Sequence, residues 1–379
     1  MSDGDDSVEV VQGFDDVEKS ERRPEPWVPV SDRKIRMGIA GYGLCCFGSA
    51  FFLQDHPNVE VVAVADVFPE RSDALGSECR CDKKYSSLEE MVEDDNVEAV
   101  FVATDAPNHA KHCMAALEHG KHVATAVPAV YGESGEEDAD KLLDAVKRTG
   151  LNYMMFETSY YHSELYAMRK IYEAGGFGEI VYSEGHYFHY IPTPLDSYEG
   201  WRIGVPPQFY PTHSNAYHIG VTGGSFTEVC CMGMPSILPD FLPGANAYGN
   251  IFDSEVALFR ASEGGMSRMA VSWGTQGAGA EAGHVRGERG TWNVLTGKYE
   301  GEEENLPDVR KPQLPPGVDA GGHGGSHGDL SNEFVMSILE ERRPEMDIVM
   351  ALDMSVSGIV AHRSACKDGE LLKIPQYSL

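Results

Sequence analysis

From Lys34 onward the chain alternates short apolar runs with amphipathic stretches. The runs KIRMGIAG (34–41), VEVVAVAD (59–66), VEAVFVAT (97–104), HVATA (122–126) and NYMMF (152–156) are nearly continuous in apolar residues. That pattern belongs to strands covered on both faces. A segment starting near Leu44 and the stretches 70–78, 87–93, 108–119 and 134–149 read as helices between them. Strands and helices taken in turn predict a parallel, doubly wound α/β sheet.

Beyond residue 160 the texture changes. A helix over 163–174 stops at Gly175-Gly176. Longer segments with strand alternation follow at 179–190, 225–233, 255–262 and 267–275, separated by turn residues, which predicts a largely antiparallel sheet. A Pro/Gly-rich loop (307–328) leads to a final helix over 329–341. The organisation expected is therefore an acidic, flexible arm (1–33), a first domain (34–160) and a second, α+β domain (161–379).

Composition narrows the function classes. The 379 residues are 42% apolar, enough for two cores. No apolar stretch is long enough to span a bilayer, and MSDGDDSVEVV is no secretory leader, so a cytoplasmic protein is expected. A net charge of −30 disfavours nucleic acid and anionic membranes as partners and fits a salt-adapted host. The eight cysteines form no CxxC pair and read as reduced thiols.

The first strand ends in Gly41-Tyr42-Gly43, followed by Leu44 and the predicted helix. This is the start of a dinucleotide fingerprint, in which backbone approaches a pyrophosphate at a helix N-terminus. Cys46 stands where the third glycine is usual, and Gly48 follows. Asp66 closes the second strand, 23 residues after Gly43, where a carboxylate accepts from the adenosine ribose and repels a 2′-phosphate. NAD is expected over NADP, with Arg71 nearby keeping NADP in view.

With GIAGYG (38–43), VAVADVFPER (62–71), TDAPNHAKH (104–112), GKHVATAVPA (120–129) and FGEIVYSEGHY (177–187), the chain resembles the Gfo/Idh/MocA oxidoreductases. The resemblance implies a Rossmann domain and a C-terminal domain whose open, mostly antiparallel sheet forms a homo-oligomer interface. It implies that Pro107, Asn108 and His109 lie near the cofactor, with Ala126 and Val127. Most of the family has Glu-Lys-Pro where this chain has Ala126-Val127-Pro128, and Val127 cannot move a proton as that lysine does.

One branch, the NAD-dependent α-N-acetylgalactosaminidases, carries a VPA-type sequence there. Residues 154–157 (MMFE), the strand end at Tyr187, Trp201-Arg202, Tyr210-Pro211-Thr212-His213 and Gly322-His323-Gly324-Gly325 are similar to that branch. The resemblance implies a catalytic or sugar-binding surface made by Glu157, Tyr187, Arg202, Tyr210, Pro211, Thr212, His213 and His323. Thr158 departs from the branch pattern, the segment between Arg202 and Tyr210 is shorter, and Tyr299 is only a loose match for a distal tyrosine.

Oxidising a sugar hydroxyl needs a base beside it and a hydride acceptor. With no lysine, Tyr210 and His213 are the expected base pair, joined by Tyr187. Glu157, His186, His213 and His323 lack compact ligand spacing, so no metal is expected. Three functions stay open: a dehydrogenase acting on a sugar or polyol, a glycoside hydrolase or lyase that oxidises its substrate transiently, and a non-catalytic NAD-binding sensor.

Overall fold

A computed structural model describes residues 21–43, 46–191, 197–277, 279–302 and 306–379. The first sheet holds β1 (Ile35–Ala40), β2 (Val59–Ala65), β3 (Lys84–Tyr85), β4 (Ala99–Val102), β5 (His122–Thr125) and β6 (Tyr153–Met155). All its pairings are parallel, in the order β3-β2-β1-β4-β5-β6. The direction in which successive strands are added reverses between β1 and β4, which opens a crevice at their carboxyl ends. The helices are α1 (Phe47–Ala50), α2 (Pro69–Glu78), α3 (Leu88–Val92), α4 (His109–Glu118) and α5 (Gly135–Thr149). Near-complete burial of β1, β4, β5 and β6 accounts for their unbroken apolar runs.

After α6 (Ser163–Glu173) come β7 (Ile180–Phe188), α7 (Thr212–Thr222), β8 (Phe226–Pro235), β9 (Phe252–Ala261), β10 (Met266–Ser272), β11 (Ala280–Gly287), β12 (Gly290–Asn293) and β13 (Lys298–Gly301). The chain closes with α8 (His327–Leu339), α9 (Ile348–Ala365) and β14 (Leu372–Lys373). These strands form one sheet, β13-β12-β11-β7-β10-β9-β8-β14, antiparallel except for the β7–β10 pair. The expected α/β architecture with a second, mostly antiparallel sheet is present. Among the described residues no helix is long and apolar enough to cross a membrane.

Three expectations need correction. The helix at 329–341 is not the last, because the 18-residue α9 follows it. That helix is buried on nearly all sides, so it has no polar face to mark it in the sequence. It ties the two halves together: Ser355 Oγ accepts the Ala129 N–H at 3.1 Å, and Asn215 Nδ2 donates to Met354 O at 2.9 Å and to Ser357 Oγ at 3.0 Å. The second correction concerns α1, a single turn running only from Phe47 to Ala50.

The third concerns the flexible arm. Residues 1–20 lie outside the described residues, but 21–33 are anchored. Arg22 clamps both oxygens of Asp329 at 2.8 Å, beside Lys311 Nζ at 2.9 Å from the same carboxylate. The Arg23 side chain donates to the carbonyls of Arg310 and Asp308, and Trp27 Nε1 to Asn332 Oδ1.

Candidate active site

The crevice at the β1/β4 switch is a cleft of about 410 Å³. Gly41 and Gly43 line its floor, both at positive φ (93° and 66°). A Cβ on Gly41 would sit 2.4 Å from the Ala103 carbonyl oxygen, so only glycine lets these backbones meet. Above Gly43 a Cβ would meet nothing within 4 Å, which leaves open space where a phosphate backbone would pass. The missing third glycine is supplied late. A Cβ on Gly48 would strike Gly41 O at 2.5 Å and Leu75 Cδ1 at 2.9 Å, so Gly48 permits the close packing of α1 on the sheet.

Asp66 accepts the Tyr42 N–H on Oδ2 and the Phe68 N–H on Oδ1, both at 2.9 Å. The carboxylate thus braces the glycine turn and also lines the cleft with Arg71, whose guanidinium stacks on Phe68 at 4.7 Å. Asn108 lines the same cleft. Pro107 does not line it; it sits in the single turn 106–108 that leads into α4. His109 is buried behind it, Nδ1 2.8 Å from Pro128 O and Nε2 3.1 Å from Thr104 O, so it joins two loops. Leu44 lies outside the described residues. This cradle fits a dinucleotide: pinched glycines, open space over Gly43 and a carboxylate in the cleft lining.

A smaller cavity, about 80 Å³, adjoins the cleft and shares Phe47, Ala103, Thr104, Trp201 and Arg202 with it. Ala126, Val127, Tyr187, Tyr210, His213 and His323 line it. Among its described lining residues there is no lysine. Tyr187, on β7, stands with its ring 4.6 Å from His213 and 6.3 Å from Tyr210. Arg202 stacks on Trp201 at 4.2 Å and lies 5.7 Å from the Tyr210 ring, at the passage between the two spaces.

Glu157 does not line the cavity. It lies two residues past β6, fully buried behind His213, and its Oε1 accepts the Ser159 N–H at 2.9 Å and lies 2.7 Å from His213 Nδ1. Burial pushes the Glu157 carboxyl up, but attraction to His213 and hydrogen bonds outweigh it and hold it below the ordinary carboxylate range. Burial likewise pushes the His213 imidazole down, and the charges of Glu157 and Glu281 overcome this and raise it to about 9. His213 is therefore an imidazolium at neutral pH, with Nε2 left for the cavity that the ring lines. Burial drives the Tyr187 hydroxyl well above its ordinary value, so it remains a neutral donor.

Pro211 and Thr212, expected to touch substrate, are not among the cavity's lining residues. Pro211 precedes α7, and Thr212 is its buried first residue. They aim His213, in the first turn, at Glu157. His323 does line the cavity, held at φ 48° with Nδ1 2.9 Å from His327 Nε2, and its ring stacks over His213 at 6.5 Å. Tyr299 is elsewhere, its hydroxyl donating to Gly176 O at 2.7 Å.

Sequence reasoning missed Glu281, Trp273 and His327. Glu281 Oε2 accepts from Ser159 Oγ at 2.8 Å and lies 3.8 Å from His213 Nδ1. A lone carboxylate in the Gly/Ala-rich stretch 277–283 was the available signal. Trp273 packs on Tyr187 at 5.6 Å.

Residues 35–157 match the Gfo/Idh/MocA model described as "oxidoreductase family, NAD-binding Rossmann fold". The match covers about a third of the chain and is to a model of an NAD-binding fold. A protein of Porphyromonas gingivalis named glycosyl hydrolase family 109 protein is 28% identical over 179 residues, 45% of this chain and 38% of that one. An α-N-acetylgalactosaminidase of Bacteroides fragilis is 36% identical over 99 residues, 26% of this chain and 23% of that one. The matched segments thus span well under half of either relative. Levoglucosan dehydrogenase, solved in complex with NADH, superposes with a TM-score of 0.76 at 17% identity, covering 91% of this chain and 100% of that one, a likeness of fold.

Proposed function

We propose that this protein is an NAD-dependent oxidoreductase acting on a hydroxyl of a sugar or polyol, with His213 as the proton carrier. The observation that supports this is the Glu157–His213 pair, buried against a cavity that opens onto the dinucleotide cleft. When bound, NAD supplies the hydride acceptor. Gly41, Gly43, Asp66 and Asn108 hold it, and Arg202 stands where cofactor and substrate spaces meet. Neutral His213 takes the hydroxyl proton on Nε2 while Glu157 steadies the charge formed. In the reverse direction the imidazolium returns that proton to a carbonyl oxygen. Tyr187 orients the hydroxyl as a donor, and Tyr210 and His323 complete the wall. The base is thus His213 with Glu157 behind it, and the tyrosines position.

A second reading is glycoside hydrolysis through transient oxidation and elimination, favoured by the relatives named for glycosidase activity. A screen with added NAD separates the two. Free sugars and polyols that generate NADH support oxidation, and aryl glycosides cleaved without net NADH support hydrolysis. No turnover of either, with NAD bound, would overturn both and leave the sensor. We also infer that the outer face of the second sheet pairs with a second copy, because Met232, Val256 and Leu258 stand exposed there in register.

A further inference from the structure

A second cluster lies outside both spaces, where the end of α9 packs against β8 and β9. Cys366 follows the last turn of α9 and is exposed to solvent. Its Sγ is 3.5 Å from Nε2 of His362, one turn earlier. His362 Nδ1 lies 2.7 Å from Oε1 of Glu255, which is fully buried on β9. The other oxygen of Glu255 accepts the Gln208 N–H at 2.9 Å, so the carboxylate is held in place. The rings of Phe209 (4.9 Å) and Phe252 (6.5 Å) stand edge-on to the imidazole and keep water from its flank. Arg363, the adjacent cation, is turned away to Glu136.

Sulfur, imidazole and carboxylate in line make a thiol nucleophilic, each group orienting the next. We propose that Cys366 is a reactive thiol, activated by the His362–Glu255 pair, and is this chain's site of reaction with hydroperoxides. The sulfur attacks the near peroxide oxygen; an S–O bond forms and the O–O bond breaks. Sulfur gives up two electrons and becomes a sulfenic acid, and the departing hydroxide takes the thiol proton as water. Burial pushes His362 down, but hydrogen bonds to Cys366 and Glu255 outweigh this and hold it at about 9, so a cation faces the sulfur at neutral pH. Other thiols contrast. Burial pushes Cys79 and Cys113 up to about 12, and buried Cys231 is also raised.

The test uses the whole protein, hydrogen peroxide and dimedone, with adducts mapped by mass spectrometry. Cys46 and Cys230, half-buried and with no histidine bonded to sulfur among the described residues, are the internal references. Cys366 is expected to be trapped at roughly tenfold lower peroxide than either, because an oriented imidazole stands against its sulfur. His362→Gln should remove that advantage while leaving labelling of Cys230 unchanged. Labelling of Cys366 no faster than Cys230 in the unaltered protein overturns the proposal, and that comparison stands even where His362→Gln does not fold. Equal labelling in a folded His362→Gln protein overturns it as well.

Discussion

Glu157 and His213, 56 residues apart in sequence, meet in one 2.7 Å hydrogen bond where neither side chain is more than 5% exposed. The carboxylate comes from the turn just past a parallel strand and the imidazole from the first turn of a helix in the other half. Their pairing turns a histidine into a strong proton acceptor.

That pairing sets a pH dependence. Only neutral His213 can take a proton, and its pKa stands at about 9. Oxidation should rise with pH through about 9, and reduction of the matching carbonyl should be faster below it. His213→Ala should lower turnover by ~10²–10⁴-fold with NAD still bound. Glu157→Gln removes the charge that raises His213, so the rise should move to lower pH. An unshifted profile in that variant sinks the assignment.

Restoring the lysine should not restore a lysine mechanism. Val127 is buried against the cavity that His213 and His323 line. An ammonium there is desolvated and lies close to the His213 cation. Val127→Lys is expected to lower turnover, as read from initial rates under saturating NAD. A gain would show that the site accepts a lysine base.

Asp66 has two tasks. It braces the turn through the Tyr42 and Phe68 amides, and in the proposed function its place in the cleft lining gives it the ribose as well. Hydrogen bonds to a charged group contribute about 1.5–3 kcal/mol each, so Asp66→Ala should weaken NAD at least ~10-fold. NADP should lose less, since the repulsive charge goes too. Titration by tryptophan fluorescence reads both, and equal losses would refute the ribose role.

Arg22 gives the N-terminal segment a structural role. Its bidentate contact with Asp329 is nearly buried, at 10% and 8% exposure. Arg22→Ala should cost about 1–3 kcal/mol in urea unfolding, because Lys311 still pairs Asp329.

The outer sheet face should hold two copies together. Leu258→Glu sits in register with Cys230, beside exposed Met232 and Val256. Light scattering should report a smaller assembly for the variant at unchanged far-UV circular dichroism. An unaltered monomer would end the interface assignment.

The parallel half was legible where its strands are nearly fully buried, as β1, β4, β5 and β6 are, and mostly apolar runs mark them; β3, a two-residue edge strand with exposed Lys84, carries no such run. Three kinds of element were not. α9 is buried around nearly its whole circumference, its serines and Asp353 included, and α7 buries Thr212, His213, Ser214 and Asn215, so neither shows the period of a surface helix. β11 through β13 are rich in glycine and charge, and no strand was expected over that stretch. At the site, motif residues could be named from sequence, but not their order. That Glu157 stands behind His213, and that Glu281 adds a second charge, follows only from strands and helices distant in the chain.

The cross-links through α9 have a mechanical meaning. The loop carrying Val127 is fastened to Ser355 by way of Ala129, and the helix carrying His213 is fastened to Met354 and Ser357 by way of Asn215. The two jaws of the substrate space are thus riveted to neighbouring points on one shaft, and their gap is a property of that shaft. Such a site works as a gauge. In the proposed function it admits a ring of fitting thickness and selects by calibre before any bond is touched.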